Sequence, residues 1–230
     1  MGDVIMAVGG HIGDMELTAG GLLATASLKG YTVITVALTA GEKGNPPDIS
    51  IADYRKQKEA EAAAFADKLR GEAVVFPYAD GELPVDETVK FKLCDTIRAY
   101  KPRFLITHWK NSIHKDHEAA YHIVKDAQFY AGLPGFVREK PAHYAAGPYY
   151  AENWEDPAGF SPYHYFEVTP EGFALWDEAI NHHWFALHSK SFKYKDYYTV
   201  LKKMRGCLAR TAYAEAYDLE ERDKRAVTKL

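Results

Sequence analysis

Hydrophobic residues in the first 130 positions follow two alternating patterns. Short continuous apolar runs, typical of strands buried on both faces of a sheet, alternate with segments where apolar residues recur at helical spacing. The continuous runs cover residues 4–8, 31–38, 73–76 and 104–107. The helical segments cover residues 15–26, 62–69, 89–100 and 117–130. Strand–helix alternation with short connections predicts right-handed βαβ units on a parallel sheet.

Residues 131–230 show a different pattern, in which prolines separate aromatic-rich segments. Strands are predicted around Tyr149 and Tyr165, and a helical stretch is predicted over residues 172–201. No break in composition separates this part of the chain from the rest.

These patterns together predict the fold class. We expect an α/β fold with a doubly wound, mostly parallel, Rossmann-like sheet and a C-terminal extension. The predicted organisation is a single domain over residues 1–230, in which residues 1–130 form the core βαβ units and residues 131–230 extend them.

Composition narrows the class of protein. The chain is 47% hydrophobic and 26% charged, which excludes a disordered protein. Its net charge of −4, without a basic stripe, argues against a nucleic-acid partner. No apolar run approaches the roughly 20 residues that span a bilayer, so no membrane partner is expected. Two cysteines fit a reducing compartment. The prediction is a cytoplasmic enzyme acting on a small molecule.

The chemistry is expected in the loops after the first and fourth strands, over residues 9–16 and 107–117. In a doubly wound sheet these loops face the crevice where strand order reverses, and ligands bind there. Both are rich in histidine and carboxylate: His11 and Asp14 lie in the first, and the second offers His117, or alternatively His114. Two imidazoles and one carboxylate leave a coordination position open, which is typical of a catalytic divalent metal. Zinc is the expected ion, although other divalent metals suit the same ligands.

A structural interpretation competes for the two acidic residues. Asp14 and Asp116 both precede helical patterns, where N-capping alone would select aspartate. Because both loops are predicted to face one crevice, the metal interpretation is favoured over capping.

A second alternative is a nicotinamide-dependent oxidoreductase. Residues 10–13, Gly-His-Ile-Gly, resemble the end of a dinucleotide-binding fingerprint. The second strand, however, ends without an acidic residue to bind a ribose hydroxyl, which argues against this interpretation.

Several ordered motifs resemble one known family. The first is Gly-His-Ile-Gly-Asp-Met-Glu at 10–16, and the second is His-Lys-Asp-His at 114–117. Between them lies Thr-Ala-Gly-Glu-Lys-Gly at 39–44. Further matching positions are Arg55, Glu59 and Asp80. Over residues 3 to 130 the chain resembles the LmbE-like zinc-dependent de-N-acetylases, to which the PIG-L enzymes belong.

The resemblance implies roles for the residues of the two loops. His11, Asp14 and His117 would be the metal ligands. His114 would stabilise the oxyanion or protonate the leaving amine, and Asp116 would orient it.

The resemblance also implies the reaction and the substrate class. Arg55 and Asp80 would lie near the substrate. The protein would be a metal-dependent amidohydrolase in which metal-activated water removes an acetyl or acyl group from an N-acylated small molecule, such as an amino-sugar derivative. A homo-oligomer is expected on the same basis.

One departure from the family concerns the general base. The family has aspartate where this chain has Gly13, and proline where it has Ile12. General-base assistance is typically worth 10²–10⁴-fold. Glu16, Glu42 or Asp116 could replace the base, the chemistry could differ, or the protein could be a catalytically impaired metal- and ligand-binding homologue. If the protein hydrolyses such substrates, the change Gly13→Asp is expected to raise kcat.

Overall fold

A computed structural model describes residues 2–225, so the ends of the predicted domain, residue 1 and residues 226–230, lie outside the described residues. The described chain contains seven strands. They are β1 (Val4–Gly9), β2 (Thr32–Thr39), β3 (Glu72–Tyr78), β4 (Phe104–Thr107), β5 (Ala146–Ala151), β6 (His164–Val168) and β7 (Tyr213–Asp218). They form one sheet in the order β3-β2-β1-β4-β5-β7-β6.

The first five strands pair in parallel, whereas β7 runs antiparallel to both β5 and β6. The predicted α/β class with a mostly parallel sheet is therefore confirmed. From β1 the chain continues to β2 and β3 on one side of the sheet, and from β4 it continues to β5 on the other side. This creates the crevice at their carboxyl ends, where parallel α/β proteins bind ligands.

Eight helices accompany the described strands. They are α1 (Asp14–Thr18), α2 (Gly20–Leu28), α3 (Ile51–Lys68), α4 (Glu87–Tyr100), α5 (Lys115–Gly132), α6 (Pro170–Ala179), α7 (Trp184–His188) and α8 (Tyr194–Ala209). None of these helices is both long enough and apolar enough to cross a membrane.

The hydrophobic core lies on both faces of the sheet. One cluster includes side chains of α2, α6 and α8 together with Ile5 and Ile106, and the other includes side chains of α4 and α5 together with Met6 and Leu105. Neighbouring residues of β1 and β4 thus pack into clusters on opposite faces of the sheet. Because both faces are buried, the sequences of these strands are continuously apolar.

The structure differs from the sequence-based prediction in the last third of the chain. The helix predicted over residues 172–201 is wrong as one element, because it is divided into α6, α7 and α8. Strand β7 was not predicted, since its alanines and Glu215 are poor strand formers. Glu215 is buried, pairs with Lys202 at 3.0 Å and accepts the backbone N–H groups of Gly21 and Leu22 at the start of α2. This long-range pairing places a carboxylate inside a strand.

Candidate metal centre

The loop after β1 turns the carboxylate of Asp14 back towards the loop itself. The backbone N–H of His11 donates to Asp14 Oδ2 at 2.7 Å. Gly13, with φ of 104°, occupies the N-cap position of α1, so Asp14 is the first residue inside the helix. Capping therefore does not explain the presence of Asp14.

The loop after β4 brings a histidine to the N-cap of α5. His114 Nδ1 accepts the backbone N–H of Asp116 at 3.2 Å. The carboxylate of Asp116 instead accepts the backbone N–H of Gly81 at 2.6 Å, in the loop after β3. The capping interpretation of Asp116 is wrong, and this residue holds the His114 ring through its main chain.

The two loops bring the predicted metal ligands together. Asp14 Oδ2 lies 3.2 Å from His11 Nδ1 and 3.3 Å from His117 Nε2. His114 belongs to the same cluster, since one nitrogen each of His11, His114 and His117 lie within 4.8 Å of one another. Loops about 100 residues apart in the chain therefore form one buried group of imidazoles around a carboxylate.

Buried atoms without hydrogen-bond partners indicate that this group fits a cation. His11 Nε2 and Asp116 Oδ1 are buried and have no hydrogen-bond partner. Asp80 Oδ1 lies 3.2 Å from His11 Nε2 but is not aligned for a hydrogen bond. Imidazole nitrogens and carboxylate oxygens are ligands of divalent metals. The donor set is consistent with a divalent metal in this position.

Opposing electrostatic effects act on the three predicted ligands. Burial lowers the pKa of His11, but the neighbouring carboxylates of Asp14, Asp116 and Asp80 outweigh it and hold that pKa well above its usual value. Burial likewise lowers the pKa of His117, whereas the charge of Asp14 raises it to about 9. Burial raises the pKa of Asp14, but the two histidines hold it well below its usual value. A metal ion and a proton compete for the same nitrogens of these imidazoles, because only an unprotonated nitrogen coordinates a metal.

Two residues of the site were given no role by the sequence interpretation. His108 stacks on His117 with ring centroids 3.9 Å apart, and its Nε2 lies 3.0 Å from Asp14 Oδ2. Asp156 is fully buried, and its carboxylate lies 3.4 Å from His108 Nδ1 and 3.5 Å from His117 Nδ1. His108 lies in the loop where chemistry was expected, whereas Asp156 lies in the proline-rich segment, whose pattern carried no signal for it.

Asp156 is positioned to orient His117, because it faces Nδ1 and leaves Nε2 towards Asp14. Loss of such an outer partner typically costs 10–100-fold in metal affinity. We expect Asp156→Asn to weaken zinc binding by about that factor, measured by competition with a chromophoric chelator. The exposed Glu167→Gln should leave the affinity unchanged. Unchanged affinity in Asp156→Asn would show that another group, such as Glu155, orients the ring.

Of the two residues predicted to lie near the substrate, Asp80 lines the cavity and Arg55 does not. Asp80 lines the cavity above the metal centre, and its Oδ2 accepts the backbone N–H of Lys43. Arg55 is not among the described residues that line the cavity. Its guanidinium donates to two carbonyls of β3 and lies 3.6 Å from Glu42 Oε2. Arg55 therefore contacts Glu42 and not the cavity.

The candidates for a replacement base also lie away from the cavity wall. Glu16 is buried and accepts the N–H of Gly13, and burial raises its pKa to about 7. Glu42 accepts the N–H of Asp80. Neither they nor Asp116 are among the described residues that line the cavity.

The space beside Gly13 is occupied by an aromatic ring. A Cβ atom added to Gly13 would lie 2.5 Å from Cε1 of Phe185, a residue of α7. The side chain of an aspartate at position 13 and the ring of Phe185 would require the same volume, which argues against the expectation that Gly13→Asp raises kcat. No sequence pattern links these two positions.

A large cavity opens over the metal centre. Its volume is about 1110 Å³, and its walls include His11, Asp14, Asp80, Lys58, Phe185 and Tyr194. The loops after the first five strands line it together with α3, α7 and the start of α8. This cavity is large enough for a small organic substrate.

The fold and the site together define a class of protein: an α/β chain whose strand-end crevice gathers imidazole and carboxylate groups that could hold a divalent cation. The chain belongs to the PIG-L family, whose model, described as GlcNAc-PI de-N-acetylase, matches residues 6–128. The resemblance inferred from the loop motifs is thereby confirmed.

Relatives include both hydratases and deacetylases. The 4-oxalmesaconate hydratase of Pseudomonas putida is 26% identical over 185 residues, which cover 75% of this chain and 69% of that protein. Similar folds are shown by GalB, the 4-carboxy-2-hydroxymuconate hydratase of Pseudomonas putida KT2440 (TM-score 0.87, 22% identity, 99% of both chains covered). The N,N'-diacetylchitobiose deacetylase of Pyrococcus horikoshii is also similar (TM-score 0.81, 18% identity, 95% of this chain and 84% of that one covered). The chain is thus related to enzymes of more than one reaction type.

Proposed function

We propose that this protein is a zinc-dependent hydratase, which adds water to an unsaturated small molecule or removes it. The proposal depends mainly on the occupied space at Gly13. Phe185 fills the volume that the family's general base would need, while His11, Asp14 and His117 converge as metal ligands. A chain that keeps the ligands but excludes the hydrolytic base is suited to a different reaction of water. The relationship to 4-oxalmesaconate hydratase supports the same conclusion.

The residues of the chain have definite tasks in such a reaction. His11, Asp14 and His117 would hold the cation, which supplies Lewis acidity for a substrate oxygen and lowers the pKa of water when bound. His114 lines the cavity, and its Nδ1 accepts a backbone N–H, so the neutral ring carries its proton on Nε2. His114 is therefore the group that donates a proton at Nε2 to the substrate and recovers it afterwards. Phe185 excludes solvent from the side of Gly13.

The alternative is hydrolysis of an N-acylated small molecule, such as an amino-sugar derivative. The family description and the chitobiose deacetylase neighbour favour it. This reaction would use the same cation and His114, but it requires proton transfer from water without a carboxylate at position 13.

One experiment separates the two reactions. Zinc-loaded protein is incubated with 4-oxalmesaconate and, separately, with N-acetylglucosamine; a chelated sample is the control. Hydration of a conjugated double bond removes its ultraviolet absorbance, whereas deacetylation releases a free amine. We expect zinc-dependent loss of absorbance and no amine above the chelated control. Amine release without hydration would replace the hydratase proposal with the deacetylase.

A further inference from the structure

Lys58 is a buried cation that the proposed reaction leaves without a task. It lies on α3 and lines the cavity, with only 6% of the residue exposed. No carboxylate among residues 2–225 lies within ion-pairing distance of its Nζ, and no described acceptor is hydrogen-bonded to it. The nearest features described for Nζ are the rings of Phe185 and Tyr54, with centroids 4.8 and 5.8 Å away.

The Lys58 side chain lies in a largely buried site, and its Nζ opens into the cavity without an ion-pair partner among residues 2–225, which is costly for a charged group. Contacts with aromatic rings recover only part of the lost hydration. Burial lowers the pKa of Lys58, and the carboxylates of Asp14, Glu61, Glu16 and Asp80 oppose this only at longer range. None of them forms an ion pair with Lys58, so its ammonium is free to bind an anion in the cavity.

Lys58 lies beside the metal centre. A methyl group added to Gly41 would lie 3.0 Å from Lys58 Nζ and 2.9 Å from Cβ of His11. The ammonium and this metal ligand thus flank the same glycine, whose lack of a side chain keeps the space between them open. An anion bound to Lys58 would place its neighbouring atoms against the metal centre.

The other lysines of the cavity are not equivalent. Lys43 forms an ion pair with Glu82 at 2.6 Å, and Lys190 is exposed at the rim. Among the described residues that line the cavity, Lys58 is the buried ammonium without a counter-ion.

We infer that Lys58 binds a carboxylate of the substrate and thereby determines its class: an unsaturated carboxylic acid whose anionic group lies next to the reacting atoms. This inference rests on the proposed hydratase function, which it makes more specific. A neutral N-acetylated sugar would leave the ammonium buried and unpaired, so the same residue disfavours that substrate.

Calorimetry on the zinc-loaded protein tests the inference independently of turnover. The probe is tricarballylate, a saturated tricarboxylate that cannot be hydrated, and its neutral triamide is the comparison. The variants are Lys58→Met, which keeps the unbranched shape of the side chain without its terminal ammonium, and Lys58→Arg, which keeps its charge. The matched control is Lys56→Met on the same helix, where the lysine is exposed.

We expect the probe to bind the unchanged protein and the triamide to bind far more weakly. Lys58→Met should raise the Kd of the probe about 30–5000-fold, the range for loss of one partner of a buried charge pair. Lys58→Arg should retain most of the affinity, and Lys56→Met all of it. Zinc content and Tm should be unchanged in Lys58→Met, because the substitution breaks no ion pair or hydrogen bond among the described residues and the methionine can pack against the rings of Phe185 and Tyr54.

The outcomes separate this inference from the proposed function. A Kd in Lys58→Met within threefold of the unchanged value, or no binding of the probe at all, overturns the role of Lys58. Hydration with an unaltered KM in Lys58→Met would also overturn it while leaving the hydratase proposal intact. Loss of probe binding in Lys58→Met, in a protein that hydrates no substrate, would support carboxylate recognition and overturn the hydratase proposal instead.

Discussion

Replacement of Asp14 by asparagine is expected to abolish stoichiometric zinc binding and to lower the hydration rate at least about 10³-fold. Asp14 Oδ2 lies within 3.3 Å of ring nitrogens of His11, His108 and His117, so it is the shared centre of the cluster. Asparagine has the same shape but carries no charge. Loss of an outer partner costs about 10–100-fold in affinity, and loss of a charged ligand exceeds this.

Elemental analysis of untagged protein measures this effect directly. About one zinc ion per chain is expected in the unchanged protein, and much less in Asp14→Asn, His11→Ala and His117→Ala. The exposed Asp67→Asn on α3 is the matched control and should retain the metal. Full zinc content and full activity in Asp14→Asn would show that the cation binds elsewhere, for example between His11, Asp80 and Asp116.

The change Gly13→Asp is expected to destabilise the protein by about 2–6 kcal/mol and to give no gain in deacetylation. A residue with a side chain at φ of 104° is strained by about 1–3 kcal/mol. Overlap of its Cβ with the ring of Phe185 adds about 1–3 kcal/mol of overpacking. The new carboxylate therefore could not reach the position of a general base without displacing Phe185.

Denaturant unfolding with glycine-to-alanine controls separates the two contributions. Gly30 also has positive φ, at 87°, but an added Cβ there would meet no atom within 4 Å. Gly30→Ala should therefore show the backbone cost alone, whereas Gly13→Ala should show that cost together with the clash. Equal losses in both variants would mean that Phe185 moves aside freely. Faster deacetylation in Gly13→Asp would contradict the steric explanation. It would favour the alternative function, in which the protein hydrolyses an N-acylated substrate.

The proposed role of Phe185 would explain how one family accommodates different reactions of water. The predicted metal ligands come from the loops after β1 and β4, which the sheet itself positions. The volume beside Gly13 is controlled from α7, an element of the C-terminal part of the chain. A change in that part can therefore close the space for a base without altering the ligands.

Much of the central sheet could be predicted from the chain alone. Each of the first four predicted strands lies within about two residues of its observed counterpart, because continuous apolar runs report burial on both faces. The observed order of β3, β2, β1, β4 and β5 is the common order of doubly wound sheets, on which the expected position of the crevice is based. The division of the helix predicted over 172–201 could not be read from periodicity, which continues across breaks that packing imposes.

The sequence by itself determined which residues could serve as ligands and which loops carry them. His11, Asp14, His114 and His117 are local features of two strand ends, and parallel strand ends must meet at one edge of the sheet. Only the tertiary structure showed what surrounds those residues. Phe185 reaches Gly13, Asp156 reaches His117 and Lys58 faces the cavity through contacts between distant segments. Local hydrogen bonding and periodicity depend on neighbouring residues and can be read along the chain. The volume beside a glycine, or the absence of a counter-ion for a lysine, depends on how separate elements pack, and no local pattern encodes it.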